Sequence, residues 1–231
     1  MTDWYYFDTN IFCEASGDKF KHFEKANKVI DLAKGQKEIT SEIVYHELLV
    51  LRNRYEAIKF NLLKQINGNS TAVITQAQVL AEVTVVLSKE KKSISKNQEL
   101  FFKKIVPSPL KIIDFFEEYS RVLLKLIRWS AFVLVRCIKR ATFLSEANRI
   151  IPKIYKKMSF HSGTDNDVLI AVDCFLHVDR NMTSSNPISG ALITMDGPFI
   201  YEKSTSIFSV LKTENPCVNL SILSLERMKL S

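Results

Sequence analysis

The chain has 231 residues, 46% of them hydrophobic and 25% charged, which excludes a disordered chain and suits one large domain or a small domain with a substantial insertion. Its six glycines form neither a Walker-type nor a Rossmann-type motif, which excludes a glycine-rich phosphate loop. The net charge of +7 divides into +13 over residues 52–157 and −6 over the remainder, so a basic middle separates acidic flanks and suggests a polyanionic partner.

Trp4–Phe7 is a short aromatic run ending at Asp8 and reads as a buried first strand. Phe20–Lys34 carries apolar residues at helical spacing, and Gly35 closes it like a C-cap. Ile39–Thr40 is a brief strand candidate. Ser41 then caps a long helix predicted from Glu42 to about Ile66, which Gly68 and Asn69 break. No glycine occurs in the 94 residues between Gly68 and Gly163, and the breakers are Pro107, Pro109 and Pro152. The middle is therefore expected to be long helices with one Pro-Ser-Pro corner. Within it Thr71–Leu87 is read as helix, although its Val-Thr-Val-Val run also suits a strand. Beyond Gly163 a helix is predicted over Asp167–Val178, opened by the capping-type residues Thr164, Asp165 and Asn166. Ala191–Thr194 reads as a buried strand leading to Asp196, and Val218–Leu225 as a last strand. Strand–helix alternation in the flanks gives an α/β class, with an all-helical insertion at 52–157.

Other chemistries find little support. Cys13, Cys137, Cys174 and Cys217 form no CxxC pair and sit among apolar neighbours, as buried thiols in a reducing compartment would. His22, His46, His161 and His177 lack zinc-ligand spacing. The first ten residues do not resemble a signal peptide. The most membrane-like stretch, Val122–Leu144, has only seven consecutive uncharged residues, Trp129–Val135, against the roughly 20 a spanning helix needs. A soluble, cytoplasmic protein without membrane contact is expected.

Asp8 and Asp196 each follow an apolar run, and Asp167 lies in the first turn of a helix. In open α/β sheets such positions gather at the strand C-termini, where ligands bind. Close carboxylates repel unless cations neutralise them, and an oxygen-rich site suits Mg²⁺ or Mn²⁺. Taken singly, each acid is also ordinary turn or helix-cap chemistry.

Four segments carry a resemblance. Phe7-Asp8-Thr9-Asn10-Ile11 is similar to the opening motif of the PIN-domain nucleases. Ser41–Leu48, with the pair Glu47-Leu48, resembles their second motif. Asn166-Asp167-Val168-Leu169-Ile170-Ala171 resembles the third, and Leu192–Asp196 followed by Phe199 resembles the fourth. All four stand in the family's order and cover 1–51 and 158–231. The resemblance implies a PIN-like three-layer α/β/α fold with a central, mostly parallel sheet, formed by 1–51 and 158–231, with the basic helices of 52–157 inserted. It implies a VapC-like, metal-dependent endoribonuclease, a hydrolase using one or two Mg²⁺ or Mn²⁺ ions. Asp8, Glu47, Asp167 and Asp196 would be the catalytic and metal-binding acids, with Asp165 as a supplementary ligand. Asn10 and Thr194 would orient ligands or hold the first turn. Glu42 competes with Glu47, but five residues turn a helix by a net of roughly 140°, so the two face different ways. His46 points about 100° away from Glu47 and reads as structural. Family toxins often pair with an acidic antitoxin and many members dimerise, so an RNA substrate, an acidic partner and a homodimer are the implied partners. The alternative is a non-catalytic PIN-like module that binds RNA or protein. A haloacid-dehalogenase-type phosphatase would want Asp-x-Asp, and the third position here is Asn10.

Within the basic middle, Ser120–Ala141 is read as one polarised helix. At ~100° per residue, Arg121, Lys125, Arg128, Arg136, Lys139 and Arg140 fall within an arc of about 120°. Such a face suits a phosphate backbone. A solvated face, a membrane surface or an acidic protein partner are the competing uses.

Overall fold

The computed structural model describes residues 2–66, 71–90, 96–106, 108–158, 166–183, 187–195 and 207–228. In chain order its elements are β1 (Trp4–Phe7), α1 (Thr9–Glu14), α2 (Phe23–Leu32), β2 (Thr40–Ser41), α3 (Glu42–Gln65), β3 (Val73–Ile74), α4 (Gln76–Ser88), α5 (Lys96–Ile105), β4 (Leu110–Lys111), α6 (Ile112–Leu134), β5 (Cys137–Ile138), α7 (Leu144–Met158), α8 (Asn166–Asn181), β6 (Ser189–Thr194) and β7 (Asn219–Ser224). Residues 207–214 are also helical. The fold is mixed α/β, dominated by helix, with a small parallel sheet.

The opening aromatic run becomes β1 because Tyr6 and Phe7 can both be fully buried there, each contributing roughly 2–3 kcal/mol. β1 lies parallel to β6, with Phe7 opposite Ile193, and β6 lies parallel to β7. Gly190 permits this packing: a Cβ there would stand 2.8 Å from the Val178 side chain and 3.0 Å from the Tyr6 ring.

On its other side β1 meets Ile39. The Phe7 amide donates to the Ile39 carbonyl at 3.0 Å, and the Ile39 amide donates to the Arg136 carbonyl at 2.8 Å. These bonds bring β1 beside the parallel pair β2–β5. The chain thus steps from β1 to β2 and β5, crosses back over β1 to β6, and ends on β7. That reversal makes β1 a topological switch point, where open α/β sheets collect their ligands.

α8 is the central helix. Val168–Val178 is buried without interruption, including Asp173 and His177, and the helix packs on β2, β6, β7, α3 and α7. A second focus lies in the middle of the chain, where Tyr55, Phe102, Phe115 and Tyr119 form an aromatic cluster. The Tyr119 hydroxyl donates to the Tyr55 carbonyl at 2.9 Å, which satisfies the one polar atom such a ring carries into a core. Both foci belong to one continuous hydrophobic cluster.

Several elements depart from the sequence-based expectations. α1 was not anticipated, because six residues are too few to show a period. The helix predicted over Phe20–Lys34 is shorter, Phe23–Leu32, while Gly35 does adopt a positive φ of 94°. Thr71–Leu87 contains both readings: Val73–Ile74 pairs antiparallel with β4, and α4 follows behind a Thr75–Gln78 capping box. The helix expected over Ser120–Ala141 ends at Leu134. Cys137 and Ile138 are instead buried in β5, where pairing with β2 outweighs helical periodicity. α3 runs through residues 51 and 52, in keeping with the helix predicted from Glu42 to about Ile66, and packs on α6. Gly68 and Asn69 lie outside the described residues. Cys13 is half-buried and Cys217 exposed, so the expectation of four buried thiols holds for Cys137 and Cys174. Among the described residues, no helix is long and apolar enough to cross a membrane.

Candidate active site

Asp8 ends β1 and caps α1. It is 7% exposed, and three donors among the described residues hold its carboxylate. Oδ1 accepts from the Thr9 amide at 2.6 Å; Oδ2 accepts from Asn10 Nδ2 and Thr194 Oγ1, each at 2.8 Å. Asn10 also bonds Thr194 Oγ1 at 3.2 Å, and its Oδ1 accepts from the Met195 amide at 3.0 Å. These bonds fasten the C-terminal end of β6 to that of β1, so β6 ends at Thr194 directly beside Asp8.

Glu47 reaches the same place from the second turn of α3. Its Oε2 accepts from the Thr9 hydroxyl, and its Oε1 accepts from Asn166 Nδ2 at 2.6 Å. Asn166 opens α8 and precedes Asp167, which is half-buried. Four chain segments are therefore linked in one polar run, from Thr194 through Asp8, Thr9 and Glu47 to Asn166. Glu42 is turned elsewhere. It accepts from the Arg140 amide at 3.1 Å and pairs with Lys139 at 3.7 Å, which leaves Glu47 as the acid of α3 that joins Asp8. His46 is exposed. Asp165 and Asp196 lie outside the described residues.

The electrostatics agree with the geometry. Burial pushes the Cys13 thiol up, and the negative charges of Asp8, Glu47 and Glu14 push it further. Cys13 is accordingly a neutral thiol beneath the acids rather than a thiolate nucleophile. Glu47 makes no ion pair among the described residues.

Compared with protein-family models, curated proteins and solved structures, the chain matches none.

The basic residues are dispersed rather than aligned. Arg121, Lys125 and Arg128 are on α6, whereas Arg136, Lys139 and Arg140 lie beyond its end, around β5. Arg121 is paired with Glu117 and Glu118. Lys125 sits over the Phe23 ring and Arg136 over the Phe132 ring, each a cation–π contact. The single six-cation arc is thus broken, because the chain turns into β5 before completing it. Lys139 and Arg140 stand instead against Glu42, one and a half turns of α3 before Glu47, about 7.5 Å along the axis.

Among the described residues, no group of three or more histidines, cysteines or carboxylates is arranged to hold a metal ion. Asp8, Glu47 and Asp167 are nonetheless hard oxygen donors of the kind Mg²⁺ and Mn²⁺ take. Three polar residues escaped the sequence reading. Thr9 and Asn166 connect the acids. Asp173 is fully buried, accepts from Ser41 Oγ at 2.6 Å, and among the described residues leaves its Oδ1 without a hydrogen-bond partner. An acid inside the apolar run Val168–Val178 was the signal for it.

Proposed function

We propose that this chain is a PIN-like endoribonuclease that hydrolyses phosphodiester bonds with a divalent metal, on a three-layer α/β/α fold around the parallel strands. The observation that supports it most is the polar run that binds Asp8, Glu47 and Asn166, the residue before Asp167, together at the topological switch point. In this reading Asp8, Glu47 and Asp167, with Asp196 and Asp165, hold one or two Mg²⁺ or Mn²⁺ ions. Such an ion supplies an activated water and neutralises charge on the leaving oxygen.

The chain's own residues have separable tasks. Asn10 and Thr194 fix the orientation of the Asp8 carboxylate, and Thr9 ties Glu47 to it. Asn166 sets the start of α8, so that Asp167 faces the same space. Lys139 and Arg140 attract the phosphate backbone beside the acids. A toxin–antitoxin or defence role, with an acidic protein as the partner, extends the same proposal.

A second reading has its own support. Both oxygens of Glu47 accept hydrogen bonds from neutral donors, as the carboxylate of a non-catalytic RNA- or protein-binding module would. Metal binding separates the two, since a ligand that binds the folded state alone raises its stability. The nuclease reading expects Mn²⁺ to raise the melting temperature and single-stranded RNA to be cut with Mn²⁺ or Mg²⁺ and not with a chelator. Absence of both effects would leave the binding module.

A further inference from the structure

α6 is apolar on two faces. Its inner face buries Phe115, Tyr119, Val122, Leu126 and Val133. On its outer face Ile113 is 57% exposed, Leu124 55%, Leu134 43% and Ile127 36%. At ~100° per residue these four fall within an arc of about 80°. A lone exposed leucine is unremarkable, but an aligned stripe running the length of a helix marks a contact surface. The neighbouring helix extends it: Lys59 Nζ donates to Ser120 Oγ at 3.0 Å, and on the same stretch of α3 Phe60 and Leu63 are exposed.

The charges beside the stripe identify the occupant. On one flank Asp114 and Glu117 occupy the first half of α6, and Arg121 and Arg128 the second. A two-fold axis lying across an antiparallel helix pair brings the same flank of both copies together in reverse order. The acidic half of each copy then meets the basic half of the other. A symmetric parallel pairing would instead turn the charged flank of each copy toward the opposite flank of the other and leave these charges unmatched. Arg128 makes no ion pair among the described residues, whereas Arg121 is engaged within its own helix at an exposed site of little energetic weight. An anionic membrane would gain little from a flank on which Asp114 and Glu117 offset Arg121 and Arg128.

We infer that the outer stripe of α6 is the contact of a symmetric homodimer, packed antiparallel against the same stripe of a second copy, with Glu117 facing the partner's Arg128. With α3 alongside, the two copies form a four-helix arrangement. Nothing in this inference depends on the nuclease reading.

Sedimentation of the full chain at about 10 µM tests it. The wild type should run as a dimer. Leu124→Glu should run as a monomer with unchanged helix content, because Leu124 is more than half exposed rather than in the core, and its melting temperature should match that of the wild type diluted until it dissociates. Glu117→Arg and Arg128→Glu should each weaken the dimer by about tenfold or more, and the double variant should restore it. A wild type monomeric at about 100 µM, a Leu124→Glu chain that still dimerises, or charge reversals that weaken the dimer without mutual rescue would each overturn the inference. So would a monomeric wild type that binds phosphatidylserine vesicles and loses that binding with Leu124→Glu.

Discussion

The carboxylates at the sheet edge and the cations of the middle region contrast in how they are held. Asp8 and Glu47 come from distant parts of the chain, yet Thr9, Asn10, Thr194 and Asn166 lock them into one hydrogen-bonded run. The cations are near one another in sequence, yet the structure separates them into two groups. Arg121, Lys125 and Arg128 remain on α6. Lys139 and Arg140 are carried by β5 to Glu42, near the acids. Preorganisation distinguishes the acids, and position along the fold distinguishes the cations. The contrast suggests that the group around β5 serves the substrate and the group on α6 serves assembly.

The largest effect expected is on the acidic side. Asp8→Asn should lower metal-dependent RNA cleavage by at least about 100-fold, the scale of losing a key electrostatic group. The fold should survive, since Asn caps a helix as well as Asp does. Cleavage at the wild-type rate would remove the acids from the mechanism.

Next in size is a pH effect on stability at the junction of the two regions. Burial pushes Asp173 up to about 6, against the hydrogen bond from Ser41 and the charge of Arg140. Burial pushes His177 down to about 4. The folded state therefore keeps the Asp173 proton, and that contribution is present below about pH 4 and lost as pH rises through 6. The His177 contribution has the opposite sign: it is present above about pH 6.5 and lost as pH falls through 4. The two slopes oppose each other between these limits, so the wild type should vary little there. Asp173→Asn should expose the His177 slope, with unfolding free energy rising by up to about 3 kcal/mol from pH 4 to 6.5. Denaturant unfolding across that range measures it, and a flat Asp173→Asn profile would show that these two groups do not set the balance.

The smallest effect distinguishes the two groups of cations. Lys139→Gln should reduce the slope of log affinity for single-stranded RNA against log salt by about 0.7, one phosphate contact. Arg128→Glu should leave that slope unchanged when both proteins are compared as monomers in the Leu124→Glu background. Equal effects from the two would merge the groups again.

The sequence showed the acids more clearly than the architecture around them. Asp8, Glu47 and Asp167 stood out because each is an acid at a strand end or near a helix start. The buried runs Trp4–Phe7 and Ala191–Thr194 were also recognisable as strands. α1 was too short to show a period, and β5 had none to show: two residues gain strand geometry only through β2, whose paired residues lie 97 positions earlier in the chain. The same tertiary pairing ended α6 at Leu134 and dispersed the predicted basic face. Glu117 and Glu118 lie just before Ser120–Ala141, the stretch expected to be one polarised helix, so the charge reversal along α6 emerges only with its true limits.

The central claim is that carboxylates gathered at the end of β1 and β6 bind a divalent ion and cut RNA. Its most direct test is cleavage of a labelled single-stranded RNA by wild type and Asp8→Asn, each with Mn²⁺ and with a chelator. The account predicts cleavage by the wild type with Mn²⁺ and none in the other three reactions. RNA left intact by the wild type with Mn²⁺, or cut equally by both proteins, would contradict it.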